Sequence, residues 1–423
     1  MCITNENLYK HKIPQINKNM MLKETLRNIV RAQRKDILLV NESIEREKLK
    51  EVKIEESFAI ILSGVRRCGK STLLRQMIQK YKNFYYFNFE DPSAVNFELA
   101  DFETLNYVFN EEYGESKYYF FDEVQNVEKW ELFVRAMLDK EKYFVITGSN
   151  ASLLSRELGT RLTGRHLNYE LFPFSFIEFL KLKNKKPNIE SFQEYFTNGG
   201  FPQYLKSGRA ESLQDLFNDI IARDISIRHK IRNLKSLKEM AVYLITNVGK
   251  EFSYNHLKKI FGLGSINSAI SFVSFFEDSY MLFAIPKFDY SIKKQIINPK
   301  KVYSIDNGFS LVNSASFSED KGKMLENMVF LALRKKYKEI FYFQENGECD
   351  FVLKEGVKIV QAIQVCYNLI EQNKERELMG LSEAMEKFKL KEGMILTYNQ
   401  EDEIKFKDKK IKLVPVWKWL LEC

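Results

Sequence analysis

The sequence predicts an α/β protein with a large unit built on a parallel sheet, followed by helical segments and a second, smaller α/β unit. Between residues 58 and 170, short apolar runs alternate with helix-favouring runs, which is typical of strands joined by crossover helices. Between residues 295 and 423, the pattern reads helix, three strands, helix, strand after an initial strand. A length of 423 residues exceeds what one core holds, so several domains are expected.

The first predicted strand leads directly into a glycine-rich loop. Apolar residues 58–62 are followed by G-x-x-x-x-G-K-S at 64–71 and by a helix-favouring run at 73–78. Backbone N–H groups of such a loop and the helix N-terminus attract a triphosphate, Lys70 can reach its β- and γ-phosphates, and Ser71 can ligate Mg²⁺. The residues predicted to hold the nucleotide are Gly64, Val65, Arg66, Arg67, Cys68, Gly69, Lys70, Ser71 and Thr72.

A pair of acids ends the third predicted strand. Residues 84–90 read as the second strand, and the apolar residues 118–121 read as the third, which is followed at once by Asp122 and Glu123. A buried parallel strand delivers such carboxylates to its carboxyl edge, where ligands bind. We expect Asp122 to hold Mg²⁺ through water and Glu123 to orient and deprotonate the attacking water.

Polar side chains and arginines follow the fourth predicted strand, residues 143–147. Ser149 or Asn150 would lie beside the γ-phosphate, and either can also cap the next helix, so the pattern does not separate them. Arg161 and Arg165 lie in a glycine-containing loop from which one could act on phosphate charge, in the same chain or toward a neighbouring subunit. They could equally be surface arginines that pair with acids.

The order of phosphate loop, acidic strand end, polar strand end and arginine loop resembles the AAA-type ATPases. The segments G-V-R-R-C-G-K-S-T, F-F-D-E-V-Q-N-V-E-K-W, I-T-G-S-N-A-S-L-L-S and N-G-G-F-P-Q-Y-L are similar to those of a widespread prokaryotic family of ATP-binding proteins. In that family an AAA core precedes a C-terminal domain of unknown function with restriction-endonuclease-like features. The resemblance covers most of the chain from about residue 55 onward. It implies ATP and Mg²⁺ as ligands and a helical lid at residues 171–228.

Two flanking regions are interpreted from helical patterns. Residues 1–57 are expected to form a helical arm packed on the next domain, without chemistry of their own. Residues 229–290 resemble a winged helix-turn-helix, in which Ile266 and Ile270 belong to the apolar stripe of the third helix. The exposed positions expected on that helix carry no arginine or lysine to read bases. These positions are Asn267, Ser268, Ser271 and Ser274, while positive charge lies at Lys258, Lys259, Lys293 and Lys294.

The C-terminal unit resembles a restriction-endonuclease-like core. In active members a helix Glu, a strand Asp and an E-x-K strand converge on a metal, and the Lys activates water. Glu326 and Asp350 match, whereas Gln364 stands at the second acid and Cys366 at the Lys. Glu326, Asp350 and Gln364 therefore form a tentative second metal site. Intact nuclease activity is not expected because Cys366 supplies no ammonium, so the domain is interpreted as a DNA- or protein-binding remnant.

Composition sets the remaining expectations. Five scattered cysteines, no apolar run long enough to span a membrane and no secretory signal favour a reduced, cytoplasmic protein. The net charge of +8 permits nucleic acid as a partner without requiring it. The leading hypothesis is an ATPase whose nucleotide state switches its attached domains. It would contact the DNA backbone without sequence specificity, and it could form homo-oligomers. The alternatives are an ATP-dependent signalling or assembly switch with a protein partner, and an ATP-gated, metal-dependent nuclease.

Overall fold

We describe the protein from a computed structural model, which places residues 21–39, 43–149, 162, 164–316 and 320–422. Within these ranges no helix is both long enough and apolar enough to cross a membrane.

The first unit is a five-stranded, wholly parallel sheet. Its order is β2-β3-β4-β1-β5, so β1 lies between β4 and β5, and β4 separates β1 from β3. The strands are β1 (Ala59–Ser63), β2 (Tyr85–Asn88), β3 (Tyr118–Asp122), β4 (Tyr143–Gly148) and β5 (His166–Glu170). All strands run the same way, so the ends of β1, β3 and β4 meet at one edge, where the phosphate loop and the two acids are expected.

Helices cover both faces of this sheet, as the alternating pattern predicts. They are α1 (Lys23–Leu38), α2 (Lys70–Ile78), α3 (Asp101–Tyr113) and α4 (Trp130–Leu138). Short 3₁₀ turns occur at Glu47–Lys50, Pro92–Ala94 and Val124–Asn126. The N-terminal helix α1 packs on α3 and β2, and buries Leu26, Ile29 and Val30 in the same core as Phe109. The described part of the predicted N-terminal arm thus completes one side of the sheet.

A helical segment follows the sheet. Its helices are α5 (Phe176–Lys183), α6 (Ile189–Asn198), α7 (Pro202–Ser207) and α8 (Glu211–Asp219). The last helix continues into an eight-residue π-helix, Ile220–Ile227. Helix α5 begins with a capping box in which Ser175 and Glu178 satisfy each other's backbone N–H groups. This segment covers the phosphate loop, which is the position expected for the lid.

The middle domain combines three helices with a small antiparallel sheet. The helices are α9 (Leu234–Thr246), α10 (Tyr254–Ile260) and α11 (Ile266–Asp278), and a short helix, α12 (Ile292–Ile297), follows the second strand. The strands β6 (Glu251–Phe252), β7 (Leu282–Pro286) and β8 (Lys300–Ser304) pair in the order β6-β8-β7. The sequence analysis assigns β8 to the C-terminal unit, but its hydrogen bonds go to β6 and β7, so it belongs to this sheet.

Helix α11 packs differently from the predicted pattern. Its buried face consists of Ala269, Phe272, Val273 and Phe276. Ile266 and Ile270, which were expected to be part of this apolar stripe, are 42% and 41% exposed. They lie on the neighbouring stripe of the same helix, because residues four positions apart share one face. Helix α11 therefore exposes two isoleucine side chains to solvent.

The C-terminal domain has the helix, three-strand, helix, strand order that its sequence predicts. After α13 (Asn307–Asn313), it contains α14 (Lys321–Lys336), β9 (Glu339–Gln344), β10 (Glu348–Glu355), β11 (Lys358–Cys366), α15 (Glu371–Lys387) and β12 (Glu392–Thr397). Two further strands and a helix complete it: β13 (Asp402–Phe406), β14 (Lys409–Pro415) and α16 (Val416–Glu422). The sheet order is β13-β14-β12-β11-β10-β9. The element order alone does not identify the domain as nuclease-like.

Asp306 joins the lid to the middle domain. Its buried carboxylate caps α13 by accepting from Phe309 N at 2.9 Å, and also accepts from Gly200 N at 2.6 Å. Burial is the largest influence and raises the pKa of Asp306 to about 6, although these backbone hydrogen bonds oppose the rise. A Cβ at Gly200 would lie 2.3 Å from the carbonyl oxygen of Phe174, so only glycine fits this junction.

Candidate functional site

The phosphate-binding loop joins the end of β1 to the first turn of α2, as the motif predicts. Gly64 has φ +152°, and a Cβ there would lie 2.1 Å from the carbonyl oxygen of Leu171. Gly69 has φ +103°, and a Cβ there would lie 2.7 Å from the guanidinium of Arg46. Larger residues would push the loop away from both neighbours, so these two glycines set its path.

Arg46 supports this loop from the N-terminal segment, to which the sequence analysis gives no chemical role. Its buried guanidinium donates to the carbonyls of Cys68 (2.6 Å) and Phe172 (2.8 Å), and pairs with Glu178 at 2.8 Å. The phosphate loop, the segment that follows β5 and helix α5 are thereby held to one side chain. No sequence motif indicates this residue because its partners lie between 22 and 132 residues away along the chain.

Lys70 and Glu123, predicted separately, meet in the structure. The Lys70 ammonium lies 3.1 Å and 3.2 Å from the carbonyls of Gly64 and Val65, and 3.5 Å from Oε1 of Glu123. Burial lowers the pKa of Lys70, but the charge of Glu123 together with those of Cys68, Asp122 and Asp224 outweighs it, and the pKa lies above its ordinary value. Burial likewise raises the pKa of Glu123, but Lys70 and the neighbouring donors outweigh it and the pKa is lowered. Both groups are therefore ionised.

Asp122 lies beside this pair at the end of β3. The hydroxyl of Thr147, on β4, donates to Asp122 and accepts from the backbone N of Glu123 at 2.9 Å, so one side chain orients both acids. Burial and the charge of Glu123 raise the pKa of Asp122 to about 6, against hydrogen bonds from Thr147 and Ser71 and the charge of Lys70. A hydroxyl beside a carboxylate is a donor set that suits Mg²⁺, so the residues fit the predicted ion.

The end of β4 carries a buried hydroxyl without a partner. Ser149 is 2% exposed, and its Oγ has no hydrogen-bond partner within the part of the chain that the structure places. Asn150, the other residue predicted here, lies outside the described residues. A buried hydroxyl left unpaired costs roughly 1–3 kcal/mol, so such a group calls for an explanation. A phosphate oxygen bound in the loop would supply the missing partner.

Arg165 lies at the opposite edge of the sheet from the phosphate loop. Its carbonyl accepts from Ala59 N, at the start of β1, and its guanidinium pairs with Asp139 at 2.8 Å. A five-residue strand separates it from the loop by roughly 13 Å. Arg165 therefore does not lie beside the phosphate loop of its own chain, and its action on phosphate charge, in the same chain or toward a neighbouring subunit, stays a prediction. Arg161 lies outside the described residues.

A cleft of about 1190 Å³ opens between the loop and the lid. The loop side is formed by Arg66, Arg67, Gly69, Lys70, Ser71 and Thr72 with Glu90 and Glu123, and the other side by Ser43, Ile44, Arg46, Phe174, Leu182, Pro202, Gln203, Lys206 and Ser207. This volume is somewhat above the roughly 300–1,000 Å³ of most ligand pockets, so it is large enough for a nucleotide.

The two loop arginines extend from this cleft to the helical segment. Arg66 forms two hydrogen bonds with Asp224, at 3.1 Å and 3.2 Å, and one with Glu90 at 2.8 Å. Arg67 pairs with Asp219 at 2.7 Å. The sequence analysis places both arginines among the nucleotide-binding residues, and the structure shows that their side chains also bind the lid.

The three residues of the tentative second metal site do come together. Asp350 N donates to Gln364 Oε1 at 3.1 Å, and Glu326 and Asp350 both contact the ammonium of Lys301. Cys366 ends β11 beside them and its thiol donates to the carbonyl of Asn368. In the ranges that the structure covers, no group of three or more His, Cys, Asp or Glu side chains is arranged to hold a metal ion. The metal assignment therefore stays a prediction.

Family comparisons agree with this geometry. Residues 56–180 match the AAA domain family, which covers the sheet, the phosphate loop and both acids. Residues 189–318 match a domain of unknown function, DUF8612, and residues 321–419 match another, DUF4143. The boundary between these two families places β8 with the middle domain, as its strand pairing does.

The chain thus carries an AAA domain of the ATPase type. It is 36% identical over 405 residues to an uncharacterized protein of Methanocaldococcus jannaschii, across 88% of this chain and 90% of that protein, and it belongs to the same family. An uncharacterized protein of Haemophilus influenzae is 29% identical over 344 residues, across 76% of this chain and 86% of its own length.

Among solved structures, the chain is similar to Cdc6p from Pyrobaculum aerophilum. The two are 11% identical, and the match covers 64% of this chain and 88% of that one with a TM-score of 0.24. A score this low supports no inference about the function or the arrangement of domains.

Measurements of unfolding temperature test whether the Ser149 hydroxyl has a hydrogen-bond partner in the nucleotide-free protein. Ser149→Ala removes a buried hydroxyl that has no partner among the described residues, and it should leave the unfolding temperature of the nucleotide-free protein unchanged or higher. Thr147→Val is the matched control, since its hydroxyl has two partners and its loss should cost about 1–3 kcal/mol. Thermal unfolding followed by circular dichroism compares the two. Equal destabilisation by both would show that Ser149 has a partner in the free protein.

Proposed function

We propose that the chain binds and hydrolyses ATP and that its nucleotide state is transmitted to the middle and C-terminal domains. The observation that carries this is the meeting of Lys70 and Glu123 beside Asp122, where Lys70 and Glu123 line a cleft large enough for a nucleotide. Loop N–H groups and Lys70 would bind the phosphates. When bound at Ser71 and Asp122, Mg²⁺ would supply charge neutralisation at the β- and γ-phosphates.

The chain's own residues support a defined role for Glu123. With Lys70 shared between the loop carbonyls and Glu123, the phosphates compete with Glu123 for the same ammonium. Transfer of Lys70 to a phosphate oxygen would free the carboxylate to align a water molecule and accept its proton as the water oxygen attacks the γ-phosphorus. The bond from that phosphorus to the β–γ bridging oxygen would break, so that ADP leaves with the bonding electron pair and inorganic phosphate is formed. Ser149 would then donate to the γ-phosphate.

The transmission to the other domains runs through the two loop arginines. Arg66 binds Asp224, within the π-helix, and Arg67 binds Asp219, at the end of α8. The π-helix leads into α9 of the middle domain, and π-helical segments are uncommon and frequently occur at functional sites. A phosphate that draws either arginine inward would weaken its contact with this helix, so loop occupancy and helix position are coupled.

An arginine from a second copy completes this proposal. Because Arg165 lies at the sheet edge away from its own loop, it would act on phosphate charge only in a neighbouring subunit. A homo-oligomer in which that edge faces the adjacent loop is the arrangement this requires.

The surface of the helix-turn-helix favours a protein as the partner. Ile260, Ile266 and Ile270 are 46%, 42% and 41% exposed on α10 and α11, and no arginine or lysine lies on α11. Exposed apolar side chains grouped on one face suit a protein surface, whereas DNA binding relies on cations that contact phosphates. The competing hypothesis, non-specific DNA contact, rests on Lys258, Lys259, Lys293 and Lys294.

Two substitutions separate nucleotide binding from hydrolysis. Lys70→Ala removes the buried ammonium and should reduce ATP affinity by at least about a hundredfold. Glu123→Gln keeps the shape but not the base, so it should bind ATP while turnover falls by about 10²–10⁴-fold. Fluorescent-nucleotide titration and phosphate release measure the two effects. Hydrolysis at the wild-type rate by either variant would contradict the assigned roles.

The coupling through Arg66 makes a second prediction. Asp224→Asn weakens a charge-assisted pair of hydrogen bonds and should lower stability by about 1.5–3 kcal/mol. It should also remove the ATP-induced change in hydrogen exchange over residues 220–246, which the wild type should show. Ile227→Ala, which changes an exposed side chain at the end of the same π-helix, is the matched control. An ATP response in Asp224→Asn as large as in the wild type would rule out this route.

A salt titration distinguishes the two partner classes. If the partner is a protein, a labelled DNA duplex should show no binding to the full chain at low salt, with or without ATP, and Lys258→Glu with Lys259→Glu should change nothing. Fluorescence anisotropy is the measurement. Binding that weakens steeply as salt rises, and that is lost in the double variant, would establish DNA contact instead.

A further inference from the structure

The ammonium of Lys301 contacts three carboxylates that line an acidic cleft in the C-terminal domain. The cleft has a volume of about 710 Å³ and lies between α14, the β9–β11 strands and α15. Lys301 reaches it from β8 of the neighbouring sheet, and its ammonium lies 3.1 Å from Glu326 Oε1, 2.9 Å from Asp350 Oδ1 and 2.5 Å from Glu348 Oε1. The side chain is 2% exposed. A single cation from another domain therefore contacts three carboxylates.

The oxygens that a metal would need are already bound. Glu326 Oε1 accepts from Lys301 and from the Tyr303 hydroxyl at 2.7 Å, and Glu326 Oε2 accepts from Lys323 at 2.7 Å. Asp350 Oδ1 accepts from Lys301, and Asp350 Oδ2 accepts from the backbone N of Val365 at 3.0 Å.

Both polar atoms of the Gln364 side chain also form hydrogen bonds. Its carbonyl oxygen accepts from Asp350 N, and its amide donates to Glu377 Oε2 at 2.6 Å. Mg²⁺ and Mn²⁺ require several oxygen ligands in near-octahedral geometry, and none of the five oxygens from Glu326, Asp350 and Gln364 is without a donor in the structure. Two ammonium groups also balance most of the local negative charge.

We propose that the ammonium of Lys301 takes the place of the metal ion, so that this cleft takes up no divalent cation. The cluster then serves as an ion-pair joint between the middle sheet and the C-terminal domain. The residues do not fit the metal centre that the restriction-endonuclease-like resemblance implies, and Lys301 explains why.

Other contacts support the role as a joint. The Tyr342 carbonyl accepts from Phe288 N at 2.7 Å, and the Tyr342 hydroxyl donates to the Pro299 carbonyl at 2.8 Å, so β9 is bound to both ends of the segment between β7 and β8. Tyr303, two residues from Lys301 on β8, points to the same cluster. These contacts hold β8 in place, so that the Lys301 ammonium stays against the three carboxylates.

The test compares Mn²⁺ binding by full-length variants without nucleotide. All variants carry Ser71→Ala, which removes the predicted metal ligand of the phosphate loop, and the protein with this change alone is the parent. Free Mn²⁺ is measured by electron paramagnetic resonance. The parent and its Asp350→Asn derivative should give the same titration. Lys301→Met should gain at least about tenfold in Mn²⁺ affinity, and this gain should disappear when Asp350→Asn is added.

Lys301→Arg provides the charge-conserving control and should bind no additional Mn²⁺. Binding by the parent that is lost with Asp350→Asn would overturn the proposal, and this comparison needs no change at Lys301, so it holds even where Lys301→Met fails to fold. A folded Lys301→Met variant without any gain would also overturn it, because the ammonium would then not stand at a metal position.

Discussion

The burial of the Lys70 ammonium is the constraint on which the phosphate-binding region depends. A charge that is 4% exposed is stable only with polar partners around it, because its removal from water costs several kcal/mol. The loop carbonyls of Gly64 and Val65 supply part of this, which requires the loop to curl around the ammonium. Glu123 supplies the countercharge from a left-handed backbone position, φ 52°, a conformation that costs energy and clusters at functional sites. The Lys70 ammonium thus has a carboxylate as its countercharge before any nucleotide binds.

The rest of the chain is attached at the same edge of the sheet. The hydroxyl of Ser63, the residue before Gly64, is hydrogen-bonded to that of Tyr280 at 2.9 Å. Glu170, at the end of β5, accepts two hydrogen bonds from Arg334 of α14, at 2.8 Å and 2.9 Å. Together with the loop arginines, these contacts bring the lid, the middle domain and the C-terminal domain to the edge where the nucleotide is proposed to bind.

Local motifs explain what was predictable from sequence. The strand, loop and helix around Lys70, and the acids after β3, follow each other along the chain, so spacing alone indicates them. The order of elements in the C-terminal domain was predictable for the same reason, and the AAA assignment agrees with the family match.

Features that depend on distant partners were not predictable. Arg46 and Lys301 look like ordinary basic residues until folding brings them to Glu178 and to Asp350, which lie 132 and 49 residues away. The membership of β8 is decided by strand pairing, which its own residues do not specify. For Arg165, the sequence shows proximity to a strand but not which edge of the sheet the loop occupies. Ile270 fits a helical stripe, yet one helix can carry two adjacent apolar stripes of which only one is buried.

The bidentate contact between Arg66 and Asp224 also has a thermodynamic consequence that runs in the reverse direction. If ATP binding changes the affinity for a ligand that moves the π-helix, then that ligand must change the ATP affinity by the same factor, since the coupling of two binding equilibria is reciprocal. In the proposed switch, a partner docked on α10 and α11 would therefore alter the affinity of the loop for ATP. Under that proposal, the chain would respond to the presence of its partner as well as act on it.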